Sequence, residues 1–562
     1  MQRDEKIKKF IEQAQLSVLI VGAGANGAGT FRDLALQGVD VLLIDREDYC
    51  SGASAASSHM LHGGIRYLEN GEFRLVREAL HERNRMLKNA PHAAHPLPTT
   101  IPIYRWFSGL FNAPFKFLGI MNKPSERGAI VIKLGLIMYD FFTRSNRMTP
   151  THKFRMKKAS LEQFPALNPN ILCTASYYDA WMASPERIVL ENIMDAEAVS
   201  PDATALNYVS LVRSKADEVF LRDEITGQEF SVKPKIVINA AGPWIDFANE
   251  KMKQETDMIG GTKGSHLILE HDALHKAVNG HEMFFENEDG RIVLIMPFEG
   301  RVMVGTTDIR IDDPELAICT PEEIVYMLGM IPKIFPDMKV DQSHIVYQFC
   351  GVRPLPSSGD SYTGNVSRDH HLSIIEADEV NHFPILALIG GKWTSYRAFS
   401  EQTADEVLKR MNVARKESTA DLPLGGGRDY PLSEAAKHEW IQAACDRSGL
   451  NSERVEVLFD RYGTYANAFI DYIVLESDQA LKQAPSFSQR EIKFICIHEH
   501  VEHVDDLLRR RTLLAMTGFH SEELISELAQ CLADIKQWDA EKVRDEIERS
   551  KEILAGKHGI VY

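Results

Sequence analysis

The residues of this chain that could do chemistry fall into a few short runs. Gly22, Gly24 and Gly27 make a G-x-G-x-x-G, and Asp45 follows 23 residues after Gly22. Glycines there allow a tight turn and close backbone approach, so that a pyrophosphate can sit on the amino end of the next helix. Asn26 lies in the same turn, and the acid accepts from a ribose hydroxyl. A second run, SSHMLHGGIRYLE at residues 57–69, brings together Ser57, Ser58, two histidines, a Gly-Gly pair, Arg66 and Tyr67. Small hydroxyl and glycine residues let a cofactor lie against backbone, and an Arg-Tyr pair offers donors to an anionic substrate. Three later runs are of the same kind: NAAGPW at 239–244 with Gly242, KGSH at 263–266, and GGKWTSYR at 390–397 with Gly391, Lys392 and Thr394.

These runs need elements to hold them. Residues 16–21 are an apolar, β-branched stretch, residues 27–37 carry a helical pattern ended by Gly38, and residues 41–44 form a second buried strand closing on Asp45. The chain therefore opens on a βαβ unit. Helices are expected over 71–89 and 186–199. Residues 209–233 alternate as short strands and run into the apolar 236–238. The stretch 260–346 is again strand-rich, with a helical insert near 321–334, and 384–389 is a last buried strand. After the Gly/Pro-rich 422–432 the pattern is helical to the end. The expected fold is α/β (α+β), with a discontinuous Rossmann-like dinucleotide-binding domain from residues 16–100, 165–258 and 345–415. A basic, aromatic segment at 101–164 is a cap or membrane contact, residues 259–344 form an interleaved β-rich substrate cap, and 425–562 a helical C-terminal domain.

Composition narrows the partners. The formal charge of −17 argues against nucleic acid. Seven scattered cysteines with no CxxC pair suggest a reducing compartment and no iron–sulfur or zinc site. The charged amino terminus has no apolar core of a secretory signal, and no run of apolar residues is long enough to span a bilayer, so a cytoplasmic protein is expected. Against the acidic whole, residues 101–160 hold eleven Lys/Arg and two acids, and residues 104–121 (YRWFSGLFNAPFKFLGIM) interleave aromatic and basic side chains. Such a patch suits adsorption to the anionic inner face of the cell membrane; a solvated cap helix or a funnel for an anionic substrate is the other reading.

The motifs GAGANGAGTFRDLALQG, SSHMLHGGIRYLE, INAAGPW, KGSH, EDGRIVLIMPF, GTTD, CGVRPL and GGKWTSYR span residues 22–397. In this order they resemble the FAD-dependent glycerol-3-phosphate dehydrogenase family, and the helical C-terminal part is similar as well. The late return of the chain to the dinucleotide, at 236–242 and 390–392, resembles the D-amino-acid-oxidase and glycine-oxidase superfamily and implies FAD. The resemblance implies oxidation of sn-glycerol 3-phosphate to dihydroxyacetone phosphate, with hydride passing from C2 to flavin N5 and electrons then to membrane quinone. The alternative sharing every motif is an oxidase that uses O₂ and forms H₂O₂. Family motifs place Arg66, Arg291 and Arg353 near the substrate, with Tyr67 as a further donor. His266 is the base candidate, since a free imidazole titrates near working pH. Lys392, with Thr394 and Ser395, would stabilise the reduced flavin's N1–C2 carbonyl edge, and Ser57 and Ser58 would face the cofactor. A homodimer is left open.

Two departures stand out. Family members often carry Lys where this chain has His59, and an Asp-Asp-Ala-Arg stretch is here Ser184-Pro185-Glu186-Arg187. Residues 498–503 (HEHVEH) lack HExxH spacing and read as a solvated charged face; DDLLRRR at 505–511 reads as a helix ion-pair network.

Overall fold

The protein is described by a computed structural model covering residues 3–65, 72–108, 128–144, 146–287, 291–357 and 369–562. Its centre is the strand Gln15–Val21, buried along nearly its whole length. A strand covered on both faces reads as a continuous apolar run. It pairs in parallel with Val41–Ile44 on one side and Glu229–Asn239 on the other, Val18 facing Val41 and Ile236. Ile385–Ile389 adds in parallel beyond Glu229–Asn239. Segments hundreds of residues apart thus build one sheet, and their carboxyl ends open on a common edge, where an open α/β sheet binds its ligand. One face of this sheet packs on the helices Ala25–Leu36, Pro185–Val199 and Tyr396–Met411, through Phe31, Leu34, Ile193 and Phe399. The other packs on Ile7 and Phe10 of the helix Arg3–Glu12 and on a hairpin carrying Leu211 and Leu221.

A second, ten-stranded sheet is assembled from the strands between Met60 and Arg353. Ala94–Ile103, Cys173–Met182 and Ile345–Arg353 belong to it, although the sequence grouped residues 94–100, 173–182 and 345–353 with the dinucleotide unit. Along its strand Thr262–Leu269, side chains alternate between faces, as pleating requires. Leu267 and Leu269 meet the helix Pro321–Ile334 through Met327 and Ile331. Ile268, on the opposite face, packs with Met296, Phe298 and Phe349 against the C-terminal helices.

The C-terminal helices lock onto the first sheet through buried charge. Asp48, just beyond Asp45, accepts from Arg510 Nε at 2.6 Å and from Arg511 Nη1 at 2.7 Å, and Arg187 pairs with Glu499 through two bonds of 2.6 and 3.0 Å. The arginines of residues 505–511 form the expected local pairs, Arg509 with Asp505 at 3.2 Å, and also this long-range clamp. His500 and His503 are engaged by Tyr49 and Glu546. Among the described residues no helix is long and apolar enough to cross a membrane.

Candidate active site

A cavity of about 1220 Å³ runs between the two sheets, larger than the ~300–1,000 Å³ of a typical small-molecule site. One wall is the glycine turn. Gly22 has φ +104°, and a Cβ there would lie 2.6 Å from the Ala240 carbonyl oxygen; a Cβ on Gly27 would lie 1.9 Å from the oxygen of Gly22. Only glycine lets this turn close against the strand end at Ala240. Gly24 caps the helix Ala25–Leu36 without a side chain; Ser54 Oγ accepts from the N–H of Ala25 at 3.0 Å, and the N–H groups that follow in the first turn face an anion site. Asp45 accepts from the backbone N–H of Ala23 at 2.7 Å and of Glu47 at 3.0 Å. Burial pushes its carboxyl up to about 7 against these two bonds, and a carboxyl at this strand end can accept from a ribose hydroxyl. Gly242, at φ +58°, and the Gly390–Gly391 turn, at φ +72° and +102°, close the same wall. Asn26 braces that turn: its side-chain nitrogen is 3.4 Å from the oxygen of Gly390. Lys392 follows it on the cavity wall. The glycine edges, the open helix end and the acid fit an adenine dinucleotide, and the volume leaves room for a substrate beyond it.

The opposite wall is the second sheet. Gly264 and His266 point into the cavity from the strand Thr262–Leu269. The His266 ring is buried, stacks on Phe349 with centroids 4.8 Å apart, and lies 2.8 Å from Ser58 Oγ through Nε2. Burial, with the Arg353 guanidinium, holds it well below the ordinary imidazole range, so it stays neutral at physiological pH. Arg353 lies over Gly264: a Cβ on that glycine would be 2.2 Å from Nη2. The guanidinium donates to Thr306 Oγ1 at 3.0 Å, the Thr307 carbonyl at 3.1 Å and Asp308 at 3.2 Å. Arg291 also lines the cavity. Arg66 and Tyr67 lie outside the described residues.

The segment leading to them is firmly placed. Thr394 Oγ1 both accepts from the N–H of His62 and donates to its carbonyl, each at 3.1 Å. Gly63 N–H donates to Tyr139 Oη at 2.9 Å and to Asp179 at 3.2 Å, and Arg83 braces Asp179 at 3.2 Å. A Cβ at Gly63 would strike Leu80 and the Tyr139 hydroxyl within 2.5 Å. Ser57 accepts from the backbone of His59 at 3.1 Å, a local turn contact, and also lines the cavity.

His59 itself is not among the cavity residues. It is buried, at φ +55°, with Nδ1 3.1 Å from the Ala183 carbonyl and its ring against Phe298 and Phe349. Burial lowers it to about 4, so it is a neutral, packed side chain. Sequence reasoning passed over three groups that shape this site. Asp179 anchors the glycine pair, and Glu282, on the cavity wall, accepts from Thr99 at 2.7 Å and is pushed by burial up to about 8. Glu323 is the third. An acid at an inward position of a strand was the available signal for the first two; for Glu323 it was the Thr320-x-x-Glu323 capping box, which marks a helix start rather than a site.

A two-sheet flavoprotein fold with this glycine turn defines the class, and residues 17–397 match the family model of FAD dependent oxidoreductases. Residues 417–543 match the C-terminal domain of alpha-glycerophosphate oxidase. The glycerol-3-phosphate dehydrogenase of Synechocystis sp. is 31% identical, over 97% of this chain and 97% of its own length. That of Pseudomonas aeruginosa is 30% identical over 89% of this chain and 92% of its own. The solved structure of the glycerol-3-phosphate dehydrogenase from Bacillus halodurans complexed with FAD has the same fold, with a TM-score of 0.74 at 23% identity over 98% of this chain and 97% of that one. The chain belongs to the FAD-dependent glycerol-3-phosphate dehydrogenase family, and its cofactor is FAD.

Proposed function

We propose that the protein oxidises sn-glycerol 3-phosphate to dihydroxyacetone phosphate and passes the electrons to membrane quinone. The observation that carries this reading is the pairing, across one cavity, of a neutral buried imidazole and a guanidinium opposite the dinucleotide wall. FAD, held by Gly22, Gly24, Asn26, Asp45, Gly242 and Gly391, supplies the hydride acceptor. Arg353, oriented by Thr306, Thr307 and Asp308, binds the substrate phosphate, with Arg291, Arg66 and Tyr67 as further donors. His266 takes the proton of the C2 hydroxyl, and Ser58 holds its ring in place. A base that is already neutral needs no prior deprotonation, and stacking on Phe349 keeps water from its face. Lys392 places positive charge at the cofactor's edge. Anaerobic addition of glycerol 3-phosphate to the FAD-loaded protein is expected to bleach the flavin absorbance; a spectrum that stays oxidised under excess substrate overturns the assignment.

Quinone as acceptor is supported by an apolar, basic face. On the helix Ala129–Phe142, Leu134, Ile137 and Phe141 are 56%, 48% and 55% exposed at positions that share one side. Trp106 and Phe107 are exposed nearby in sequence, and Lys133, Arg144 and Arg147 add charge. An amphipathic surface of this composition suits the boundary of an anionic bilayer; Lys116 and Lys123, in the same basic segment, lie outside the described residues. Ile137→Asp with Phe141→Asp is expected to abolish flotation with anionic vesicles. The C-terminal match to a glycerophosphate-oxidase domain favours oxygen as the second reading. Turnover with quinone under argon, without peroxide in air, decides for the first.

A further inference from the structure

The strand that presents Gly264 and His266 to the cavity presents Lys263 and Ser265 to its other side, where both meet one carboxylate. Glu323, on the first turn of the helix Pro321–Ile334, accepts from Lys263 Nζ at 2.7 Å and from Ser265 Oγ at 2.9 Å. It accepts as well from Thr307 Oγ1 at 2.5 Å and from the backbone of Thr320 at 3.0 Å in a capping box. The Thr307 hydroxyl is itself an acceptor, from the N–H of Ser265 at 2.9 Å. Thr307 also gives its carbonyl to Arg353, and the preceding Thr306 gives its hydroxyl. One buried carboxylate therefore ties the residue before His266 to the segment that aims Arg353, without touching the cavity.

We infer that Glu323 is a positioning residue for the reaction: through Thr307 it sets the guanidinium of Arg353. This rests on the reading of Arg353 as the phosphate ligand. Glu323 sits where a carboxylate is most stable, at a helix amino terminus and against a buried lysine. Although burial opposes it, the bonds from Lys263, Thr307, Thr320 and Ser265 hold its carboxyl below the usual range. A carboxylate can accept from all four donors at once; a glutamine has one acceptor oxygen and two surplus N–H groups. The amide must therefore turn donors toward Lys263 or Thr307, and the Thr306–Asp308 segment shifts.

The test is a cycle of Glu323→Gln, Arg353→Lys and the double variant in the FAD-loaded full-length protein. KM and kcat for glycerol 3-phosphate, competitive inhibition by inorganic phosphate, flavin content and thermal midpoint are all measured. Glu323→Gln is expected to raise KM and the phosphate inhibition constant about tenfold with little change in kcat or flavin content, as a displaced anchor does. The double variant is expected to be no worse than Arg353→Lys alone, because both act on one group. Losses that multiply in the double variant overturn the inference. An Arg353→Lys protein with unchanged KM overturns instead the assignment of Arg353 to the phosphate. Thr307→Val, which removes the linking hydroxyl and keeps the side-chain shape, guards against a misfolded Glu323 variant: it is expected to raise KM similarly, and a normal KM refutes the linkage.

Discussion

Gly264→Ala is the sharpest single test of how the second sheet builds the site. The backbone there is not in the left-handed region, so alanine brings no conformational penalty of its own. Its only effect is steric, a methyl group 2.2 Å from Arg353 Nη2 and 2.6 Å from Cζ. An ordinary contact begins near 3.4 Å, so the guanidinium must withdraw by about 1.2 Å. Its bonds of 3.0, 3.1 and 3.2 Å to Thr306, Thr307 and Asp308 cannot all survive a shift of that size. A misplacement of roughly 1 Å costs on the order of 10²-fold in kcat/KM, equivalent to about 2.7 kcal/mol at ~1.36 kcal/mol per decade. The loss should fall mainly on KM, because a phosphate far from the reacting carbon is bound alike in ground and transition states. Steady-state turnover with an artificial dye, beside flavin content and thermal midpoint, reads it. Gly329→Ala, where nothing lies within 4 Å of the new methyl, is the matched control. A folded, flavin-replete Gly264→Ala protein with a normal KM would mean that Arg353 does not hold the substrate.

The remaining predictions concern charge. Because His266 is held well below the ordinary imidazole pKa, the acid limb of kcat at saturating substrate is expected below pH 6.5; a limb at or above 6.5 removes His266 as the base. Asp48→Asn breaks the clamp of Arg510 and Arg511 and should cost about 3–5 kcal/mol in thermal or urea unfolding, with earlier flavin release on heating; an unchanged midpoint refutes the clamp. Glu282 has its folded pKa raised to about 8, above the ordinary carboxyl value. It therefore binds more protons folded than unfolded across the intervening range, and its contribution to stability is lost as pH rises toward 8. Glu282→Gln should then gain stability relative to the parent at pH 8 more than at pH 5, and an equal difference at both would show that the carboxyl is ionised.

What the sequence made legible is what backbone geometry demands locally. The glycine turn at 22–27, the strand closing on Asp45, and the Gly-Gly pairs at 63–64 and 390–391 are visible because other residues would collide with Ala240, Tyr139 or Asn26. The strand Val41–Ile44 and the helix Pro321–Ile334 were legible from periodicity and, for the helix, from its proline. Illegible were contacts made between distant segments, because no local pattern requires them. Asp48 meets Arg510 across 462 positions, and Ala94–Ile103 pairs with Cys173–Met182 in the second sheet rather than with the first. His59 was puzzling as a letter in a cofactor motif. In space it is a core side chain: its backbone turns to φ +55°, which carries the ring away from the cavity that Ser57, Ser58 and Met60 line and against Phe298 and Phe349.

Strand alternation divides a second motif in the same way, between cavity and core. Lys263-Gly264-Ser265-His266 reads in sequence as four residues of one motif, and in the strand it divides into two pairs with different physics. Gly264 and His266 face the cavity, one small enough to admit Arg353 and the other neutral enough to accept a proton. Lys263 and Ser265 face Glu323, where a lysine can be buried because a carboxylate meets it at 2.7 Å. A buried ion pair adds little net stability over an apolar pair of the same shape, but it tolerates only one register of strand against helix. A slip of one residue would send Lys263 into the cavity and His266 into the helix. The charge on the far side of the sheet thus fixes which two residues reach the cavity.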